Sequence, residues 1–333
     1  MNLESARELK QSLTASMLPQ IETTLVARAA FSRAAGPMAT AVEPHRTVAL
    51  GVARKGKRDF QLAIRVQQRA LEASREVERI TRQARGEVDV RYIGRVNKRA
   101  TPWHQKRQRP LLIGCSVGHF KITAGTLGCF VQPRGGGAIC MLSNNHVLAN
   151  ENDATKGDAI LQPGAIDGGR KPGAVVAKLI EFVRFRPHSR NLLDCAIAAV
   201  NEGVAVQRTK LRGLGTLKGL GDAFVGEGDS VAKVGRTTGG TRGRVTAFEL
   251  DNVIVGYDIG NLRFDNQIEI EGAGNQPFSD GGDSGSLIVS ADKRGVALLF
   301  AGGDQGGANG QGLTYANPLR AVLDALSVDL VFA

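Results

Sequence analysis

Of the 42 glycines in this chain of 333 residues, 37 lie after residue 110, where they separate short apolar runs. The runs are 111–117, 127–131, 138–142, 195–200, 231–235, 243–248, 286–290 and 296–300. Each is too short for a stable helix and about the length of a buried strand. Turn signals fall between them, among them Pro133-Arg134-Gly135, Pro163-Gly164, Asp167-Gly168-Gly169 and Gly239-Gly240. Many short strands with few helices predict a mainly β unit, either a sandwich or a pair of barrels. Only the stretch 317–327 reads as helix: Asn317 can cap it, Pro318 suits its first turn, and Leu319, Val322, Leu323 and Leu326 share a face.

The first third of the chain has a different composition. Residues 1–110 hold 22 basic and 10 acidic residues, a net of +12, whereas the remainder holds 21 and 22. The overall charge of +11 therefore belongs to one region, and two structural units are expected. Leu9, Leu13, Met17, Ile21 and Leu25 recur every four positions and predict a helix over 3–35, interrupted at Pro19 and ended by Gly36 and Pro37. Residues 46–54 and 59–67 read as strands, with Phe60, Leu62, Ile64 and Val66 alternating. Residues 72–85 read as helix and 87–96 as strand. The expected order is helix, strand, strand, helix, strand, a small basic α+β domain over 1–97. Residues 98–110, rich in Lys and Arg, read as an exposed linker open to proteolysis.

The charge asymmetry admits docking on an acidic partner. It carries no helix-turn-helix, zinc-finger or RNA-binding signature, so nucleic acid is disfavoured. No run approaches the ~18 apolar residues of a membrane span. The N-terminus has charges where an export signal would be apolar, so the expected location is the cytoplasm. Cys115, Cys129, Cys140 and Cys195 lack metal-ligand spacing, which argues against zinc and favours buried thiols. Nothing in the sequence calls for a cofactor.

Three short motifs fall in the β region: LSNNHVL with His146, LLDCAIA with Asp194, and GGDSGS with Ser284 flanked by glycines. A serine hydroxyl is a weak nucleophile near neutral pH and needs a neighbouring base. A neutral imidazole suits that role, and a carboxylate on its far nitrogen fixes the tautomer. His146, Asp194 and Ser284 are therefore candidates for base, orienter and nucleophile.

Their chain order, together with KVGRTTGGTRGRV at 233–245, resembles the trypsin-like (chymotrypsin-fold) serine proteases, including bacterial and plant narrow-leaf-type intracellular members. The resemblance implies a double six-stranded β-barrel: a first barrel over about 111–207, a second over about 213–315, and the C-terminal helix. It implies an oxyanion hole from the backbone N–H groups of Gly282 and Ser284. It places Ala301, Gly302 and Gly303 beside the substrate, and Phe278 at the specificity position six residues before the nucleophile. An apolar or small P1 residue follows from Phe278, although core packing explains that residue as well.

Secreted members often need a new N-terminus to pair with the Asp before the nucleophile, here Asp283. No suitable start is present, so Asp283 is expected to find another partner without cleavage. The usual disulfides are also missing, and Cys140 and Cys195 read as barrel-core thiols. The function so implied is a serine endopeptidase acting on protein or peptide through an acyl-enzyme, with the N-terminal domain serving regulation, assembly (self-association included) or recruitment. The alternative is a non-catalytic or latent protease-fold module whose basic domain docks on an acidic partner or nucleic acid.

Overall fold

The structure, a computed structural model, describes residues 1–21, 48–94, 100–222 and 225–332. Outside the described residues lie the expected helical stretch 22–35 with Leu25, its ending at Gly36 and Pro37, strand ends 46–47 and 95–96, and linker residues 98–99. The chain divides into two compact units, Met1–Ala100 and Thr101–Ala333.

In the first unit a helix, Leu3–Ser16, starts where the Asn2 side chain accepts a hydrogen bond from Ser5 N at 2.8 Å, which satisfies an otherwise orphan donor. Leu13 on this helix and Met17 and Ile21 beyond its end form one buried stripe. They pack on a sheet in which Val48–Arg54 runs antiparallel to Phe60–Val66. Phe60–Val66 in turn pairs in parallel with Val88–Tyr92. A parallel pair needs a crossover, and the helix Arg75–Gln83, capped by Ser74, lies within it. Leu62, Ile64 and Val66 bury their side chains with Val77 and Ile80, as the two-residue alternation requires.

The second unit is mainly β. A closed barrel is made of six strands, in the order Ser230–Gly235, Gly239–Leu250, Gln267–Gly272, Leu313–Pro318, Gly295–Gly302 and Leu287–Ser290. Beside it lies a sheet of eight strands: Val328–Leu330, Cys129–Pro133, Cys140–Ser143, Ala196–Val200, Val175–Phe182, Ala159–Leu161, Ser116–His119 and Gly125–Thr126. The double-barrel class expected from sequence is thus present, as one closed six-stranded barrel and one half-barrel. Its outer strand Val328–Leu330 comes from the C-terminus and pairs with Cys129–Pro133. The helix is shorter than expected, Leu319–Ala325, and Asn317 does not cap it.

A two-stranded hairpin, Val253–Tyr257 with Gly260–Phe264, projects between two strands of the closed barrel. Residues 101–110 belong to the second unit and are held to it by specific contacts, although Thr101, Lys106, Arg107, Arg109 and Pro110 are exposed. His104 is buried and its Nδ1 bonds Arg236 O at 2.5 Å, while Gln105 Nε2 donates to the same oxygen. Gln108 N donates to Gln162 Oε1. Among the described residues no helix is long and apolar enough to cross a membrane.

Candidate active site

The site assembles from strand register. Cys140–Ser143 pairs with Ala196–Val200 so that Ser143 faces Ala196. The residues just beyond this pair, on the short helix Asn145–Leu148 and at Asp194, are therefore neighbours. His146 Nδ1 donates to Asp194 Oδ2 at 2.5 Å. Asp194 is fully buried, and such a carboxylate persists only where donors replace its water. Asn145 N (2.7 Å) and His146 N (3.3 Å) donate to Oδ1, and Tyr257 Oη donates to Oδ2 at 2.9 Å. Asn317 Oδ1 accepts from Asp194 N at 2.8 Å, which explains its absence from the helix cap.

The Asp194 contact holds a proton on Nδ1 and leaves Nε2 as an acceptor. Burial disfavours the imidazolium, but the charge and hydrogen bond of Asp194, with a smaller pull from Glu151, outweigh it and raise the His146 pKa above 6.5.

Ser284 lies on the turn leading into Leu287–Ser290. Gly285 has φ +90°, and a Cβ there would fall 2.0 Å from Ser143 Oγ and 2.4 Å from Thr126 O. Only glycine fits. Thr126 fastens the turn from outside, its N donating to Ser284 O (2.8 Å) and its Oγ1 to Gly282 O (2.9 Å). Gly282 has φ +93°. The N–H groups of Gly282 and Ser284 have no acceptor among the described residues. Ser284 Oγ donates to Phe300 O at 3.3 Å, and among the described residues it has no bond to His146.

Asp283, between those two residues, is buried and pairs with the equally buried Lys233 at 2.9 Å. Thr237 N, Thr238 N, Thr238 Oγ1 and Asp280 N complete its shell at 2.6–3.1 Å. Burial lowers the Lys233 pKa against the attraction of Asp283.

His146 and Ser284 both line a cleft of about 480 Å³, with Ala301, Gly302 and Gly303 along one wall. Phe278 is a correction. It does not line the cleft but is buried in the closed-barrel core with Val245, Ile270 and Ile288. Its neighbour Ser279 faces the cleft, with Oγ bonded to Thr314 Oγ1 at 2.7 Å. The P1 inference drawn from Phe278 therefore loses its footing. Among the described residues no His, Cys, Asp and Glu cluster could hold a metal ion. All four cysteines are free and buried. Burial pushes the Cys115 and Cys129 thiols up to about 12, Cys140 up to about 11 and Cys195 well above 9.

Sequence reasoning missed Lys233 and Tyr257. A lone lysine within the apolar run VAKVG was the available signal for the first. Tyr257 sits in a hairpin with no motif.

No family model matches this chain, nor does any curated protein. Among solved structures it is similar to Thermobifida fusca protease A, at 17% identity over 67% of this chain and 100% of that one, with TM-score 0.47. It is similar to a Cellulomonas bogoriensis chymotrypsin at 18% identity, 67% and 98% coverage and TM-score 0.45. It is also similar to a Nocardiopsis protease at 15% identity, 66% and 97% coverage and TM-score 0.46.

Proposed function

We propose that this chain is a serine endopeptidase, with Ser284 as nucleophile, His146 as general base and then acid, and Asp194 as the orienter of His146. The observation that carries this reading is the 2.5 Å bond from His146 Nδ1 to a fully buried Asp194, at a cleft that Ser284 also lines. In the reaction Ser284 Oγ gives its proton to His146 Nε2 and attacks the substrate carbonyl carbon. The resulting oxyanion accepts from the N–H groups of Gly282 and Ser284, and loss of one such donor typically costs about 3 kcal/mol. The tetrahedral species collapses, His146 protonates the leaving amine, and water then releases the acyl group by the same steps. Ala301, Gly302 and Gly303 border the substrate on this reading. Four free buried thiols support a reducing compartment such as the cytoplasm.

One observation favours the alternative of a latent protease-fold module: Ser284 Oγ is bonded to Phe300 O rather than to His146. The endopeptidase reading requires the hydroxyl to leave Phe300 O and bond His146 Nε2.

A fluorophosphonate probe separates the two. Wild type is labelled at Ser284, and Ser284→Ala abolishes labelling and lowers peptide cleavage roughly 10⁴–10⁶-fold. A folded wild type that resists the probe would overturn the endopeptidase reading in favour of the latent one.

A further inference from the structure

The hairpin that carries Tyr257 belongs by sequence to the closed barrel, between Gly239–Leu250 and Gln267–Gly272, but it is fastened to the half-barrel side. Ile259 N at its tip donates to Glu151 Oε2 at 3.1 Å. At its base Asn191 N donates to Arg263 O at 2.9 Å. Between these ties Tyr257 Oη reaches Asp194 Oδ2 at 2.9 Å. The tyrosine ring is packed by Phe185 at 4.8 Å and Phe264 at 6.0 Å, and it meets the His146 ring edge-on at 5.8 Å.

We propose that Tyr257 is a positioning residue for the reaction: it holds Asp194 through the same oxygen that binds His146, making a four-residue catalytic relay assembled from both β bodies. The proposal rests on the endopeptidase reading above.

The argument is one of donor accounting. Asp194 Oδ1 has two backbone donors, and Oδ2 has two side-chain donors, His146 and Tyr257. A buried carboxylate shares its charge among its donors. Removing the phenol leaves Oδ2 with the imidazole alone, less constrained in its plane and offering more negative charge to that partner. The groups facing His146 are Asp194, Glu151 from the following turn, and Tyr257. Tyr257 is the neutral one of the three, acting on His146 through Asp194 rather than by its own charge. It also lines the cleft beside Val255 and Gly256, so it joins the substrate wall to the buried carboxylate.

Tyr257→Phe keeps the ring and deletes the donor. The expected result is kcat about 10-fold lower with KM within about twofold, because the lost bond orients the base rather than the substrate. With more carboxylate charge directed at it, the imidazolium is stabilised, so the acid limb of the rate profile moves up by roughly 1 pH unit. Placing 3-fluorotyrosine at position 257 makes the hydroxyl a stronger donor and moves the limb the other way. That variant retains the ring and serves if Tyr257→Phe folds poorly. Packing alone would leave both variants with the wild-type rate and limb, and that result would overturn the proposal. If wild type fails to label at Ser284, the endopeptidase reading has failed. The Asp194 linkage is then read without turnover, from the NMR titration of the His146 ring in wild type and both variants. Opposite displacements support the linkage, and coincident curves refute it.

Discussion

Replacing Lys233 by Met removes the cation from a pair in which both side chains are fully buried, 2.9 Å apart. The methionine fills most of the lysine stem's space, so the change is chiefly electrostatic. Deleting one member of a buried pair typically costs about 3–5 kcal/mol, because a charge is left without its counterion. Asp283 keeps four donors, from Thr237 N, Thr238 N, Thr238 Oγ1 and Asp280 N. The lower end, about 3 kcal/mol, is therefore expected. In a unit of about 230 residues this lowers Tm by roughly 6–12 °C. The loss extends to chemistry, since Asp283 sits between the two N–H groups assigned to the oxyanion. If its rotation withdraws one donor, kcat falls roughly 10²–10³-fold. Circular dichroism melts give the first quantity, and the rate of probe labelling at a temperature where the variant is folded gives the second. The double variant Lys233→Met/Asp283→Asn removes both charges and should recover much of the stability but little of the rate. The reasoning is refuted if Lys233→Met melts within about 2 °C of wild type and labels at the same rate. The four remaining bonds would then suffice to hold Asp283.

The remaining expectations are shorter. Activity requires neutral His146, whose pKa is raised above 6.5, so kcat/KM should fall with decreasing pH through a midpoint above that value. The same shift means that the His146–Asp194 contact adds stability fully below 6.5 and loses that contribution as pH rises through the folded-state pKa. Asp194→Asn should lower the midpoint and reduce kcat about 10⁴-fold in the same rate-against-pH series. A Cβ on Gly302 would stand 3.2 Å from Leu313 O and 3.3 Å from Ser279 Oγ. On the proposed reading Gly302 borders the substrate, so Gly302→Val, which narrows the cleft, should penalise peptides with bulky side chains about 100-fold more than those with small ones in a peptide library, whereas Phe278→Leu leaves the profile unchanged and costs about 1 kcal/mol of stability. With every thiol buried and its pKa raised, a thiol-specific chromogenic reagent should find no reactive cysteine in the native protein and four in guanidinium.

The parts of this molecule that could be read beforehand are those governed by local rules. Alternation at Phe60 to Val66 marks a strand because one face must be dry. The glycines around Ser284 mark a turn that side chains cannot enter, and the motifs at His146 and Asp194 are short and lie at strand ends. What failed depended on three-dimensional closure. An offset of six residues cannot say whether Phe278 turns into the barrel or into the cleft. The charges of 101–110 suggested solvent, and several of these side chains are exposed, but Trp103 packs on the core and His104 and Gln108 bond to residues beyond the segment. Asn317 has the chemistry of a helix cap, but a buried backbone N–H at Asp194 claims it instead. Tyr257 and Lys233 act through partners 63 and 50 positions away, a distance that no local pattern encodes.

The docking of residues 101–110 changes what a cut there would mean. His104 and Gln105 hold the carbonyl of Arg236, whose own N–H bonds Thr126 Oγ1. That same threonine clasps Gly282 and Ser284. Severing the basic stretch would do more than shed residues 1–100: it would slacken a brace three contacts from the nucleophile. A truncation that begins at Thr101 preserves this brace, and one that begins at Leu111 discards it, although composition alone would place the domain edge at the second point.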